Sequence, residues 1–173
     1  MIAGATDEGL CLLEFSDRRM LEAQFDSVRR LFGGPGVMGT NEHLEQLQAE
    51  LAGYFAGSMR QFTVPLVYPG TAFQRQVWEQ LLQVPYGQTR SYQELAASLG
   101  NPAAVRAVGR ANGMNRIATL IPCHRIVNKN GDLGGYPGLE DVLGRVGPAA
   151  GVELGDVHLR DAEEPLRMVG GRA

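Results

Sequence analysis

The stretch SYQELAASLGNPAAVRAVGRANG, residues 91–113, ends one helix and starts another within a few residues. Ser91 followed three residues later by Glu94 forms a capping box, which predicts a helix start. Gly100 suits the position just after a helix, and Asn101-Pro102 predicts the cap and the first residue of the next one. Two short helices joined by a tight turn match the helix-turn-helix pattern, so this half of the chain is predicted to be mainly helical.

The second of these helices carries small and basic side chains. The basic residues are Arg106 and Arg110, one turn apart, and the small ones are Ala103, Ala104, Ala107 and Gly109. Small residues allow a nucleic-acid backbone to approach closely, while arginines supply charge and reach. A tight helix crossing inside the protein would also require small residues. The residue types favour nucleic-acid contact over that alternative.

Charge is distributed unevenly along the chain. The formal net charge is −3, yet the segment from Arg90 to Lys129 holds six basic side chains against the single acid Glu94. That segment therefore carries +5 and the rest of the chain carries −8. A basic segment in an acidic protein indicates a local anionic partner, and the alternative is a solvated basic face.

Strands and helices are both predicted before the helical pair. GLCLLEF, residues 9–15, is an apolar run typical of a strand, and residues 62–69 read as an extended segment. A helix is predicted within residues 16–32, with Ser16 or Asp17 as its cap and an apolar stripe of Leu21, Phe25, Val28 and Leu31 or Phe32.

Two more capped helices are predicted before the helix-turn-helix segment. Asn41 caps one, which ends at Gly57, and Thr71 precedes the other. Their apolar stripes are Leu44, Leu47, Leu51 and Phe55 in the first and Phe73, Val77 and Leu81 in the second.

These elements predict an α+β fold. We expect a small N-terminal α+β domain over residues 1–68 and a mostly helical C-terminal domain over residues 69–155 with a winged helix-turn-helix-like unit. The polar, Gly-rich tail over residues 156–173 is predicted to be flexible.

Two cysteines, Cys11 and Cys123, are too few and too far apart in sequence to form a disulfide framework or a metal-ligand pair. Leucines surround Cys11, which predicts a core thiol. The chain has no run of 18 apolar residues and no signal-peptide pattern, so we expect a cytoplasmic protein, or a nuclear one in a eukaryote, with reduced cysteines.

Cys123 is followed directly by His124 within the stretch ATLIPCHRIVNKNG. Only a thiolate is a good nucleophile, and a neighbouring imidazole can take the thiol proton directly or through a water. In a flat strand the two side chains would point to opposite faces, so the pair is useful only at a turn or a strand end, and Pro122 fits either place. The two residues alone leave open a buried cysteine beside an unrelated histidine.

Several motifs together resemble the O6-alkylguanine-DNA alkyltransferase family. They are IPCHRIV, Asn115 eight residues before the cysteine, SYQELA at 91–96, AVRAVGRANG at 104–113 and GGYPG at 134–138. The resemblance covers residues 8 to 152. It implies a protein that docks a helix-turn-helix in the minor groove of double-stranded DNA and flips out an O6-alkylguanine. The alkyl group, also that of O4-alkylthymine, then moves onto a cysteine that is consumed.

The resemblance assigns roles to individual residues. Cys123 would be the acceptor and His124 its water-mediated base. Tyr92 would help rotate the nucleotide and donate to the base as it leaves, and Asn115 would brace the active-site turn. The DNA-contacting set would comprise Arg106, as the finger filling the vacated stack, with Ala104, Ala107, Gly109, Arg110 and Arg125. The pocket would be formed by the Ile126 carbonyl, Tyr136, Pro137 and Gly138.

The chain departs from the family pattern at the glutamate that holds the far nitrogen of the histidine. Counted from Cys123, that glutamate falls where this chain has Ala150. In a shifted register Glu140, Asp141 or Glu153 could replace it.

A second departure is Pro137, which stands where the family offers a backbone N–H towards the guanine O6, because proline has none. The missing glutamate and the missing N–H could each slow transfer by about 10²-fold, so we expect a real but slow transferase.

Two other functions fit parts of the sequence. A lesion binder would bind alkylated DNA without transfer, and a cysteine hydrolase would turn over repeatedly. We expect a monomer without cofactor, active-site metal or membrane contact, and we interpret His43 and His158 as surface residues.

Overall fold

The computed structural model describes residues 1–16, 21–34 and 36–130 and the backbone of residues 167–170. The chain folds into two compact units. The first contains Met1–Pro69, Arg116–Ala118 and the last strand, and the second contains Gly70–Asn115 and the described residues 119–130. The mixture of helices and small sheets confirms the α+β prediction. The sequence did not indicate that Arg116–Ala118 belong with the first unit.

The described strands of the first unit form a four-stranded sheet, in which β2 (Gly9–Glu14) lies at one edge, followed by β1 (Ile2–Thr6), β6 (Arg167–Gly170) and β3 (Val37–Met38). Strands β1 and β2 form an antiparallel hairpin. Strand β6 runs parallel to β1, and β3 pairs antiparallel with β6. The strand predicted at GLCLLEF is therefore confirmed.

The prediction of a flexible tail is wrong for residues 167–170, because they form β6. Backbone pairing on both sides, with β1 and with β3, fixes this short segment of the tail. The rest of the tail lies outside the described residues.

The outer edge of β2 pairs with two separate pieces of chain. Leu10 exchanges backbone hydrogen bonds with Pro65 and Val67, each 2.8 Å long. Leu13 does the same with Arg116 and Ala118, again at 2.8 Å. The segment predicted to be extended is thus the neighbour of β2, and this pairing explains why Arg116–Ala118 belong to the first unit.

Helix α2 (Glu42–Phe55) begins as predicted. The Asn41 Oδ1 accepts a hydrogen bond from the Leu44 backbone N–H at 3.0 Å. Its predicted apolar stripe is buried at Leu44, Leu47 and Leu51, and Gly57 follows the helix with φ of 72°, a conformation that glycine adopts without strain.

Helix α1 (Leu21–Phe32) is less buried than its sequence suggests. Leu31 is 43% exposed, and the buried residue of the helix is the polar Gln24. Of the two candidate caps, Ser16 lies in a turn and Asp17 lies outside the described residues.

Three helices make up most of the second unit: α3 (Ala72–Leu82), α4 (Tyr92–Ser98) and α5 (Val105–Gly113). A parallel pair of short strands, β4 (Arg90–Ser91) and β5 (Ile126–Val127), completes it. Trp78 of α3 is buried and donates through Nε1 to the Ala111 carbonyl of α5 at 2.9 Å. This bond holds α3 against α5.

The turn between α4 and α5 differs from prediction in one detail. The Ser91–Glu94 capping box is present, and Gly100 follows α4 with φ of 75°. Asn101, however, makes no side-chain cap, and Pro102–Ala104 form a 3₁₀ turn before α5. The Asn101 backbone carbonyl accepts from the Ala104 N–H at 3.0 Å, which closes the 3₁₀ turn. Within the described residues no helix combines the length and apolar character needed to cross a bilayer.

Candidate active site

The cysteine–histidine pair lies on a 3₁₀ turn, Cys123–Arg125, between Pro122 and β5. The Cys123 N–H donates to the Ile121 carbonyl at 2.8 Å, and the Arg125 N–H donates to the Pro122 carbonyl at 3.1 Å. The prediction that the pair occupies a turn is therefore confirmed. A turn removes the strand geometry that would send the two side chains to opposite faces.

The chain before this turn is held by a side chain from the end of α5. Asn115 is buried and donates through Nδ2 to the Ile121 carbonyl at 2.9 Å. Between them, buried Thr119 adopts φ of 72°, a left-handed conformation that is costly for a β-branched residue. The backbone leading to Cys123 is thus fixed in a specific, strained path.

Cys123 and His124 are both buried: the cysteine is 2% exposed and the histidine is fully enclosed. Neither ring nitrogen of His124 has a hydrogen-bond partner in the described part of the chain. Burial, and next the charge of Arg125, lower the pKa of His124 to about 3. The imidazole is therefore neutral at working pH. A group of such low basicity is a poor acceptor for a thiol proton.

Tyr92 is the first residue of α4, and its side chain lies beside the same turn. Its hydroxyl oxygen accepts a hydrogen bond from Nδ2 of Asn112 at 3.3 Å, and the same amide nitrogen lies 3.4 Å from the Cys123 carbonyl. Burial, and next the Cys123 charge, raise the pKa of Tyr92, while the Asn112 bond acts in the opposite direction. The phenol therefore stays protonated and can act as a donor.

Asn112 is the site residue that the sequence did not reveal. The available signal was an asparagine in the predicted helix, a residue type of low helix propensity, within an otherwise small and basic segment. Its contacts lie 11 and 20 residues away, so no local pattern identifies it.

The predicted DNA-contacting residues of α5 differ in exposure. Arg106, Ala107 and Arg110 are exposed, whereas Ala104 and Gly109 are half-buried. A Cβ atom at Gly109 would lie 3.9 Å from the Tyr92 ring, in ordinary contact. Gly109 therefore belongs in part to the packing of α5 against α4, the alternative considered for the small residues.

Arg125 is not placed to contact DNA, contrary to prediction. It is buried, its Nη1 donates to the Val84 carbonyl at 2.8 Å, and its guanidinium carbon lies 5.7 Å from the centre of the Tyr86 ring. The positive charge of Arg125 is therefore paired with a carbonyl and an aromatic ring inside the second unit.

Arg116 is likewise buried, and it donates to the Pro69 carbonyl within the first unit. The surface charge of the basic segment therefore comes from Arg90, Arg106, Arg110 and Lys129.

An open groove lies beside the β4–β5 pair. Its lining includes Arg90 and Lys129 together with Ser91, Glu94 and Val127. The Glu94 carboxylate is already bonded to the Ser91 N–H and hydroxyl, at 2.7 and 2.9 Å. These bonds hold the carboxylate in place and leave it ionised, so Arg90 and Lys129 together outweigh its charge by one unit.

The remaining predicted site residues divide into two groups. Ile126 is buried in β5, where it pairs with Arg90. Tyr136, Pro137, Gly138 and Ala150 lie outside the described residues, as do Glu140, Asp141, Glu153 and His158.

His43 is not a surface residue as predicted. It is buried, with Nε2 3.1 Å from the Asp7 carbonyl, because α2 packs against the β1–β2 hairpin. Among the described residues no cluster of three or more His, Cys, Asp or Glu side chains could hold a metal ion.

Comparison with known proteins assigns the chain to a family. The model of the 6-O-methylguanine DNA methyltransferase DNA-binding domain matches residues 72–147. The inducible methylated-DNA–protein-cysteine methyltransferase of Bacillus subtilis (strain 168) is 43% identical over 123 residues, covering 71% of this chain and 69% of that protein. The chain belongs to the methylated-DNA–protein-cysteine methyltransferase family.

Solved structures of this methyltransferase family match most of the chain. The crystal structure of Mycobacterium tuberculosis O6-methylguanine methyltransferase superimposes with a TM-score of 0.67 at 34% identity, covering 88% of this chain and 86% of that one. The structure of the Mycobacterium tuberculosis protein in complex with DNA gives a TM-score of 0.61 at 35% identity, covering 78% and 77%. The Cys123 turn and helix α5 both lie within the region that the methyltransferase domain model matches.

Proposed function

We propose that this protein repairs DNA by moving the alkyl group of O6-alkylguanine, and of O4-alkylthymine, onto the sulfur of Cys123. The observation that carries the proposal is the joining of Cys123, Tyr92 and Asn112 by hydrogen bonds around one buried turn, beside an exposed basic helix. The family relationship supplies the reaction class.

The chemistry is a single displacement at the alkyl carbon. The Cys123 thiol loses its proton, and the thiolate sulfur forms a bond to the alkyl carbon while the bond from that carbon to O6 breaks. The electron pair of the broken bond remains on the guanine, which ends with a proton on its ring in place of the one the thiol lost. Because a thioether is not hydrolysed, each molecule reacts once.

Tyr92 suits the role of stabilising the leaving base. Its hydroxyl is protonated and already accepts one hydrogen bond, so its own proton is available to a ring atom of the base. Donation of this kind acts where negative charge develops on the departing guanine. Asn115 would brace the turn through its bond to Ile121.

DNA would lie along the exposed face of α5. Arg106 would fill the space left by the flipped nucleotide, with Ala107 admitting the backbone and Arg110 adding charge. Arg90 and Lys129, at the groove beside β4 and β5, would neutralise phosphates of the same duplex.

Proton removal from Cys123 is the weak step of this mechanism. The neutral His124 can pass a proton on through a water but cannot hold it, since its pKa is about 3. Ala150 and Pro137 also depart from the family pattern at positions that assist the reaction. We therefore propose a slow transferase.

The remaining pocket assignments, the Ile126 carbonyl with Tyr136 and Gly138, stay part of the proposal. We further propose that the protein acts as a monomer in the compartment that holds the DNA, the cytoplasm or a eukaryotic nucleus.

The test is a titration of the protein with a duplex carrying a radiolabelled O6-methylguanine. We expect the label to move to protein until one methyl is bound per molecule and then to stop. Tight lesion binding without label transfer would contradict the proposal and identify a lesion binder. Continued turnover of an ester or amide would identify a hydrolase instead.

A further inference from the structure

Asn112 is a polar side chain in a place where the fold does not require one. It lies in the last turn of α5 and is fully buried. Its Oδ1 has no hydrogen-bond partner among the described residues. An unpaired buried oxygen lowers stability, and it offsets what the two long hydrogen bonds of Nδ2, at 3.3 and 3.4 Å, contribute to stability. The presence of the amide therefore points to a use other than stability.

The orientation of the amide follows from its partners. The Cys123 carbonyl oxygen can only accept, so the atom that faces it at 3.4 Å must be the nitrogen, Nδ2. The same nitrogen lies 3.3 Å from the Tyr92 hydroxyl oxygen and supplies its second hydrogen there. The Tyr92 oxygen is thus an acceptor in this contact, and the phenol proton is left for another partner.

We propose that Asn112 is a positioning residue for alkyl transfer, which orients the Tyr92 hydroxyl as a donor to the departing base while fixing the carbonyl of the acceptor cysteine. This inference rests on the proposed function. This role differs from packing alone, because a single nitrogen atom of Asn112 bonds both the Cys123 carbonyl and the Tyr92 hydroxyl. Loss of the amide would leave the Tyr92 proton free to bond elsewhere.

The experiment is a double-mutant cycle on the full chain. The rate constant for methyl transfer is measured in single turnover, at saturating O6-methylguanine duplex, for wild type, Asn112→Leu, Tyr92→Phe and the double variant. We expect N112L to lower the rate about tenfold when Tyr92 is present and less than twofold when Phe replaces it. Equal losses in both backgrounds would overturn the inference.

Val108→Ala is the matched control, since it removes buried volume from the same helix without removing a hydrogen bond to Tyr92 or Cys123. We expect V108A to lower thermal stability and to leave the transfer rate within twofold of wild type. A tenfold loss of rate in this control would overturn the inference, because it would show that any disturbance of α5 has the same effect.

Asn112→Asp supplies a second readout and replaces N112L if that variant does not fold. Its carboxylate cannot donate to the Cys123 carbonyl, and its charge opposes ionisation of the nearby thiol. We expect slower transfer with a pH–rate profile displaced to higher pH. An unchanged rate and profile would overturn the inference. Absence of any adduct in wild type would instead contradict the proposed function.

Discussion

The guanidinium of Arg125 donates from Nη1 to the backbone carbonyl of Val84 at 2.8 Å, which ties the acceptor turn to the segment that follows α3. The two residues are 41 positions apart in sequence, and the bond is buried. A residue that was predicted to contact DNA therefore anchors the turn that carries Cys123.

Replacing Arg125 separates these two roles. Arg125→Met should lower the free energy of unfolding by about 2 kcal/mol, because a buried carbonyl loses a charged donor. The dependence of DNA affinity on salt should not change. Urea unfolding and duplex binding at several salt concentrations measure the two quantities. A salt slope reduced by about one unit would mean that Arg125 contacts a phosphate after all.

Removal of the exposed arginines of α5 should weaken DNA binding and leave stability almost unchanged, the opposite of the effects expected for Arg125→Met. Arg106→Ala and Arg110→Ala should each weaken duplex binding and reduce the slope of log affinity against log salt by about one unit, with little change in stability. Arg30→Ala, an exposed arginine in the first unit, is the control and should leave the slope unchanged. Equal duplex affinity and salt slope in all three variants would show that DNA does not lie along this face of α5.

His124 should make the fold sensitive to acid. Its pKa is about 3 in the folded protein, well below the ordinary value of 6.5. At a pH between these two values, His124 is protonated in the unfolded chain and neutral in the folded protein. Stability contributed by this residue is therefore present at neutral pH and falls as pH drops below about 6.5, by roughly 1 kcal/mol per pH unit. Urea unfolding between pH 7 and pH 4 should show that the free energy of unfolding depends less steeply on pH in His124→Leu than in wild type. The same dependence in both would show that the histidine is not buried as a neutral group.

The capping box of α4 should support the helix that carries Tyr92. The Ser91 hydroxyl accepts from the Glu94 N–H at 3.2 Å, so Ser91→Ala should cost about 1 kcal/mol of stability. Ser98→Ala, at the other end of α4, removes a hydroxyl that donates to the Leu95 carbonyl and should cost less. Chemical denaturation measures the free energy of unfolding of both variants. An equal loss of stability in the two would argue against a capping role of Ser91.

Features set by neighbouring residues were predictable from the sequence. The caps at Asn41 and Ser91, and Gly100 after α4, depend on hydrogen bonds and backbone freedom within one turn of chain. The turn at Cys123 was expected on the condition that Cys123 and His124 act together, because side chains alternate in strands. Local chemistry of this kind needs no knowledge of the rest of the fold.

Features that depend on distant partners were not predictable in the same way. Arg116 and Arg125 count as positive charge in the sequence, yet both are buried against backbone carbonyls. Asn112 and His43 contact groups many positions away. The residue type fixes which hydrogen bonds a side chain can donate or accept. Which partner it contacts depends on the tertiary packing.

Mass spectrometry after reaction with an O6-methylguanine duplex shows whether Cys123 accepts the alkyl group. Cys11 is the natural comparison, because it is buried in β2 and burial raises its pKa to about 11, which leaves it almost entirely as the unreactive thiol. We expect one added methyl on the peptide containing Cys123, retained in Cys11→Ala and absent in Cys123→Ala. No methyl on that peptide after prolonged incubation, or a methyl on Cys11, would contradict this expectation.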